Sequence, residues 1–279
     1  MQTDYLEHLT QTVSFALKED IGTGDITAHL IDETTAASAT VITRMPAVIA
    51  GRPWVDEVFR QIDDKVTLDW LVEEGDLVSP DTHIFEASGS ARSILTAERS
   101  ALNFLQTISA VATKTRYYVE LIRHTESKIL DTRKTIPGLR MPQKYAVTVG
   151  GGMNHRIGLY DAFLIKENHI AAAGSISKAI ASAKKLSPES RVEVEVETMQ
   201  EYQEAQRAEP DWIMLDNFSI DELREAVASN KKNIKLEASG GIELETDLIA
   251  LAETGVDYIS IGALTKHCEA VDLSMRLES

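Results

Sequence analysis

"VEVEVE", residues 192–197, alternates one β-branched apolar residue with one carboxylate over six positions. Successive side chains of a strand point to opposite faces, so Val192, Val194 and Val196 share one face and Glu193, Glu195 and Glu197 the other. Two readings are open. In an edge strand the glutamates would face water. In a barrel strand the valines would pack toward surrounding helices and the glutamates would point inward. Inward carboxylates are costly unless cations or a metal face them, so this second reading demands Lys, Arg or Mg²⁺ opposite.

Runs of similar length lie on both sides of it: "KILDT" (128–132), "AFLIK" (162–166), "DWIMLD" (211–216), "IKLEASG" (234–240) and "DYISIG" (257–262). Each is short, β-branched or apolar, and separated from the next by enough chain for one helix, as βαβ units require. Six such strands predict an α/β barrel, TIM-like and incomplete. A doubly wound open sheet is the alternative, but no Gly-x-Gly-x-x-Gly follows the first strand; "GGG" at 150–152 has different spacing.

Upstream the pattern differs. Residues 4–19, "DYLEHLTQTVSFALKE", carry Leu6, Leu9, Val13 and Leu17 near helical spacing, and "DIGTGDIT" then breaks the run. From about Ala39 to Glu86, β-rich runs such as "ATVITR" and "HIFEASG", separated by Gly, Pro and Asp, predict a compact antiparallel module. Residues 97–123 keep apolar side chains at positions 101, 104, 105, 108, 111, 112, 119 and 122, which predicts a long helix with one broad buried face. The expected division is therefore an N-terminal domain over 1–110, completed by 266–279, and a barrel over 111–265.

Function should gather at one end of the barrel, where the C-terminal ends of the strands and their loops meet. Those ends carry Asp131, Arg133 and Lys134; Lys166, Glu167 and Asn168; Glu195 and Glu197; Asp216 and Asn217; Ser239, Gly240 and Gly241; and Gly262. Helix caps, turn glycines and exposed salt bridges explain any one of these, but independent caps need not recur at the same end of every strand. The chain has 44 Asp and Glu against 28 Lys and Arg, a formal net charge of -16. Yet from Asp131 to His169 six cations (Arg133, Lys134, Arg140, Lys144, Arg156, Lys166) face three carboxylates (Asp131, Asp161, Glu167). That local excess suits a small, highly charged anion. "SGG" at 239–241 and "SIGALT" at 260–265 can offer backbone N–H groups to phosphate, and Glu195 with Asp216 could hold Mg²⁺ together with substrate oxygens.

The acidic balance argues against nucleic-acid binding, and no apolar run is long enough to cross a membrane. A single cysteine, Cys268, excludes an internal disulfide and suits a reducing, cytoplasmic setting.

Several stretches together resemble one family. "EDIGTGDIT" (19–27), "AERSALNFLQ" (97–106), "DTRKTIPGLR" (131–140), "GGGMNHRIGLYDAFLIKENHI" (150–170), "VEVEVE", "LDNF" (215–218), "EASGGI" (237–242) and "DYISIGALT" (257–265) are similar to quinolinate phosphoribosyltransferases, across essentially the whole chain. The resemblance implies an N-terminal α/β sandwich and an open α/β barrel. It also implies transfer of phosphoribosyl from phosphoribosyl pyrophosphate to quinolinate with loss of pyrophosphate and CO₂. On that resemblance Arg99, Arg133, His155 and Arg156 hold the quinolinate carboxylates, and Lys134 and Lys166 contact the phosphoribosyl part or bridge the two substrates. Glu195 and Asp216 bind ribose hydroxyls and Mg²⁺, and Ser239, Gly240, Gly241 and Gly262 hold the 5′-phosphate. A homodimer or hexamer of dimers is implied, with Arg99 reaching the neighbouring subunit's site. A nicotinate-using or molybdenum-transport-associated paralogue, a silent anion-binding protein and a metal-dependent hydrolase are the alternatives. The presence of Arg99, Arg133, His155 and Arg156 favours quinolinate, and the hydrolase lacks His-rich ligand spacing.

Overall fold

The computed structural model describes residues 4–232, 234–240 and 245–278. In chain order the strands are β1 (Ala36–Thr43), β2 (Ala47–Val48), β3 (Thr67–Trp70), β4 (Leu77–Val78), β5 (His83–Ser90), β6 (Lys128–Leu130), β7 (Ala162–Ile165), β8 (Arg191–Val196), β9 (Trp212–Asp216), β10 (Lys235–Ser239), β11 (Tyr258–Ser260) and β12 (Leu273–Glu278). The helices are α1 (Leu9–Ile21), α2 (Arg52–Ile62), α3 (Ala91–Leu121), α4 (Arg140–Val149), α5 (Glu167–Ala173), α6 (Ile176–Leu186), α7 (Met199–Ala208), α8 (Ile220–Ser229), α9 (Glu245–Ala252) and α10 (Ala263–Lys266).

Two compact units divide the chain. The first comprises residues 1–116, 135–151 and 263–279; the second comprises 117–134 and 152–262. In the first, an antiparallel sheet has the order β12-β1-β5-β3, with β1 paired to the C-terminal β12 from Ser38↔Glu278 to Thr43↔Leu273. Alternation along β1 buries Ala39, Val41 and Thr43 completely. On α2, Trp54, Val55, Val58 and Phe59 form the buried stripe, and Phe59 meets Phe85 of β5 edge to face at 6.3 Å. Gly51 caps α2 at φ 114°, where a Cβ would lie 3.0 Å from Ile108, so the position needs glycine on both counts.

Two boundaries differ from the sequence expectation. Residues 5–8 form a turn, and α1 starts at Leu9 rather than Asp4, because the Asp4 carboxylate accepts from Leu6 N–H and closes a local loop instead of a helical turn. The long helix α3 begins at Ala91, since Ala91 and Ile94 continue the buried stripe of Ala97 and Ala101. Residues 135–151 also pack with the first unit rather than with the strands that flank them. Gln143 of α4 is fully buried and donates to Thr265 C=O at 2.8 Å, and Arg116 donates to Gly150 C=O at 3.0 Å.

The second unit is built from the six runs read in the sequence. Its sheet is wholly parallel, in the order β6-β11-β10-β9-β8-β7. Among the described residues β6 and β7 do not pair, so the barrel is open, as the sequence predicts. Met153 instead makes a parallel bridge with Leu130 on the free side of β6. Helices lie between successive strands, and their starts are capped by the residues expected there. Thr198 accepts from Glu201 N–H, and Ser219 forms a capping box with Glu222. Val192, Val194 and Val196 are at most 1% exposed, and Tyr202 of α7 is fully buried with its hydroxyl donating to Ala226 C=O at 2.7 Å.

Candidate active site

Because β8 turns its valines outward, Glu193 and Glu195 face the barrel interior; Glu197, one residue past the strand, is exposed. Register then sets depth. Leu164, Glu193 and Trp212 lie at one level, Glu195, Met214 and Glu237 above them, and Asp216 and Ser239 above those. A cavity of about 270 Å³ opens at the C-terminal strand ends, lined by Thr132, Arg133, Lys134, His155, Arg156, Leu164, Lys166, Glu195, Met214, Asp216, Glu237, Ser239 and Ser260.

Local hydrogen bonds place the cations. Thr132 Oγ1 accepts from Lys134 N–H at 3.0 Å, a tight turn that follows β6 and carries Arg133 and Lys134. Asp131 is fully buried and accepts from Asn154 Nδ2 at 2.5 Å and from His155 N–H at 2.9 Å, which fastens the 153–156 segment beside β6. Asp161 accepts from the N–H groups of Ile157 and Gly158, at 2.7 and 2.9 Å, and closes the loop after Arg156. Lys166 sits between β7 and α5, where its N–H donates to His169 Nδ1 at 3.0 Å and its ammonium pairs with Glu195.

Beneath this polar surface lies a buried cluster. His155 Nε2 is 2.8 Å from Glu193 Oε2 and 3.3 Å from Glu237 Oε2, and all three side chains are at most 5% exposed. Burial alone would depress the imidazole, but the two carboxylates outweigh it and push His155 up to about 9. Burial and the neighbouring Glu193 raise Glu237 to about 7 against the pull of His155. Arg191 reaches within 3.9 Å of Glu193 and stacks over Trp212, 4.1 Å from the ring centroid. Burial and the charge of Arg133 pull Arg156 below its ordinary value.

Most of the expected site residues thus meet. Arg133, Lys134, His155, Arg156, Lys166, Glu195, Asp216 and Ser239 line one cavity. Gly262 stands beside it, where a Cβ would come 3.0 Å from Lys134 Cδ. Gly240 lines a neighbouring cleft with Asn217, Phe218 and Ser219, and Gly241 lies outside the described residues. Arg99 is exposed on α3 in the first unit and is not among the lining residues; Arg140 and Lys144 also belong to that unit.

The chain matches the family model described as quinolinate phosphoribosyl transferase, N-terminal domain, over residues 25–109, and the C-terminal domain model over 111–276. The chain belongs to the quinolinate phosphoribosyl transferase family. Among its relatives, the probable nicotinate-nucleotide pyrophosphorylase (carboxylating) of Bacillus subtilis is 43% identical over 92% of this chain and 89% of that protein. The enzyme of that name from Mycobacterium leprae is 40% identical over 95% and 96%. The solved nicotinate-nucleotide pyrophosphorylase of Francisella tularensis superposes with a TM-score of 0.95 at 47% identity, covering 99% of this chain and 98% of that one.

The sequence did not single out Thr132, Leu164, Met214, Glu237 and Ser260 as site residues. A signal existed for Glu237 and Ser260. Each stands two residues before a strand-end group already read as functional, Ser239 and Gly262, and so faces the same side of its strand.

Proposed function

We propose that the barrel cavity catalyses phosphoribosyl transfer from phosphoribosyl pyrophosphate to quinolinate, giving nicotinate mononucleotide, pyrophosphate and CO₂. The observation that carries the reading is the convergence of Arg133, Lys134, His155, Arg156 and Lys166 with Glu195 and Asp216 in one cavity of an otherwise acidic protein. Quinolinate brings two carboxylates and its cosubstrate a pyrophosphate and a 5′-phosphate, so a site for both must gather cations. Arg133 and Arg156, with His155 beneath, are suited to the quinolinate carboxylates; a guanidinium binds a carboxylate through two parallel N–H groups. Lys134 and Lys166 face the phosphoribosyl part, Ser239, Gly240 and Gly262 are suited to the 5′-phosphate, and Glu195 and Asp216 to the ribose hydroxyls.

The pyridine nitrogen carries no proton, so no general base is needed. Its lone pair forms the bond to the anomeric carbon as the bond to pyrophosphate breaks, and Glu195 or Asp216 faces the positive charge that develops there. Holding the two substrates in line supplies much of the rate. In the second step the bond between the ring and its 2-carboxylate breaks. CO₂ leaves, the electron pair stays on the cationic ring as an ylide, and a proton then replaces the carboxylate.

The two carboxylates at the strand ends of β8 and β9 also fit Mg²⁺. They are hard oxygen donors facing one cavity, and Mg²⁺ takes one or two carboxylates and completes its shell with phosphate and water. Bound there, Mg²⁺ would neutralise charge on the pyrophosphate. We further propose a homodimer or hexamer of dimers in which the exposed Arg99 completes the neighbouring subunit's quinolinate site, and a cytoplasmic setting, supported by the single cysteine. Among the described residues no helix is long and apolar enough to cross a membrane.

An assay of the purified protein with phosphoribosyl pyrophosphate and quinolinate, nicotinate or nicotinamide tests the reading. Quinolinate alone should turn over, releasing CO₂. EDTA should abolish turnover and added Mg²⁺ should restore it. Turnover of nicotinate, or of none of the three, would overturn the substrate assignment.

A further inference from the structure

Two buried carboxylates lie directly beneath a cavity that takes a dianion, and on Coulomb's law they should repel it. Glu193 and Glu237 are both fully buried, on neighbouring levels of the barrel interior. Neither position is needed as a helix cap, and an apolar residue there would cost less to bury. What they contact is positive. Both approach His155 Nε2, at 2.8 and 3.3 Å, and Glu193 approaches Arg191 at 3.9 Å. The three groups also have the spacing of a metal triad, with ligand atoms within 4.8 Å of one another. The neighbouring Arg191, and Arg156 close by, already supply positive charge to the carboxylates.

Resting on the reading that the cavity takes quinolinate, we infer that Glu237, together with Glu193, is a positioning residue that fixes the His155 ring at the cavity floor and keeps it cationic, so that His155 helps select a pyridine dicarboxylate.

The surroundings of the ring are consistent on every side. Just past β6, Asp131 holds the His155 backbone N–H. The next residue, Arg156, is cationic and near Glu193 and Asp161. From β8 come Arg191 and Glu193, and from β9 the edge of Trp212 at a centroid distance of 6.2 Å. From β10 comes Glu237, faced in turn by the Ser260 hydroxyl of β11. Both carboxylates stand at the ring itself, 2.8 and 3.3 Å from Nε2. Without them burial would oppose the charge of the imidazole. A neutral ring offers a carboxylate one hydrogen bond and no charge.

The test compares the full-length protein with the Glu237→Gln variant, which preserves shape and removes the charge. The kinetic constants kcat and KM for quinolinate and for phosphoribosyl pyrophosphate are measured from about pH 7 to pH 9.5, where quinolinate stays a dianion. The wild-type quinolinate KM should stay low until the pH passes about 9. In Glu237→Gln the rise should begin about one pH unit lower, giving a KM roughly threefold above wild type near pH 8.5 and approaching tenfold only above pH 9.5, with less than a twofold change for phosphoribosyl pyrophosphate. In a His155→Gln background the substitution should add nothing. Equal losses for both substrates, an unshifted profile, or an undiminished effect in the His155→Gln background would overturn the inference. If Glu237→Gln does not fold, wild type against His155→Gln decides: a profile that is the same in both removes the basis of the inference. Absence of quinolinate turnover by the wild-type protein would instead overturn the functional reading on which it rests.

Discussion

Replacing Asp131 by alanine tests how the cavity is assembled rather than what it binds. Asp131 is fully buried and its carboxylate accepts from Asn154 Nδ2 at 2.5 Å and from His155 N–H at 2.9 Å. The backbone of the same segment is tied to β6 by Met153 N–H to Ile129 C=O at 2.8 Å and by Asp131 N–H to Met153 C=O at 3.1 Å, and these bonds survive the substitution. The loss is therefore local. The buried His155 N–H, left without its acceptor, costs ~1 to 3 kcal/mol, and the half-buried Asn154, which water can partly satisfy, roughly 1 kcal/mol more. A loss of ~2 to 4 kcal/mol should lower the melting temperature by roughly 5 to 10 °C in a chain of this size. Asp131→Asn keeps one acceptor oxygen for the His155 N–H and should fall between. Calorimetry gives the melting shift, and steady-state kinetics on the folded variants should show a raised KM for quinolinate, since His155 and Arg156 are no longer held. A melting temperature and quinolinate KM both unchanged by Asp131→Ala would mean that the 153–156 segment is held by its backbone alone, and the positioning argument would fail.

Arg133→Ala should weaken quinolinate binding by ~1.5 to 3 kcal/mol, about 10- to 150-fold in KM, the value of one charge-assisted contact. Phosphoribosyl pyrophosphate should be affected far less, and equal losses would assign Arg133 to the other substrate. Gly240→Ala should destabilise by about 1 to 3 kcal/mol in urea titration, because φ is +96° and the new Cβ would lie 2.1 Å from Asn217 Oδ1. Asn217 donates to Asp216 at 2.9 Å, so the same variant should also disturb the Asp216 carboxylate and lower kcat. Hydrogen bonds from Arg60, with a contribution from Gln61, pull Glu57 down to about 2 from 4.5. A carboxylate whose folded value is depressed contributes stability above its unfolded value, and that contribution fades as the pH falls toward the folded one. Glu57→Gln should therefore be less stable than wild type at pH 7 by denaturant unfolding, with the difference closing as the pH falls from about 4.5 toward 2.

The barrel was legible because each strand carried two independent signals, a period-2 or apolar run and a polar residue where the run stopped. "VEVEVE" even placed Glu193 and Glu195 on the inward face. It did not distinguish them, because the two share a face and differ only in depth. That difference comes from pairing with Leu164 and Trp212 at one level and with Met214 at the next, which is long-range register. One glutamate consequently pairs with Lys166 at the cavity wall while the other is sealed against His155. The excess of cations between 131 and 169 was legible as charge but not as a site. Arg140 and Lys144 lie on α4, whose amphipathic face packs in the first unit, and tertiary contacts far away in sequence, such as Gln143 with Thr265, decide that. The early start of α1 failed for the opposite reason: the apolar spacing was real, but one short-range bond from Asp4 outweighed it.

The local excess of positive charge is an incomplete account of how an acidic protein binds a polyanion. Cations crowded into one cavity repel each other before any substrate arrives, and burial penalises each of them; Arg156 is already depressed by burial and by Arg133. Adding more cations would therefore raise the cost of holding them together. The structure offers a different solution, in which carboxylates are interleaved with the cations: Glu193 and Glu237 under His155, Glu195 beside Lys166, while Asp131 fastens the 153–156 segment that carries His155 and Arg156. Each of these glutamates supports the charge of a neighbour whose other side faces the cavity. The side chains are then fixed in place before substrate binds, so little reorganisation is left for the reaction to supply. On this account the glutamates of "VEVEVE" and the arginines and histidine of the 131–156 stretch form one electrostatic arrangement, and removing a buried carboxylate should impair anion binding rather than improve it.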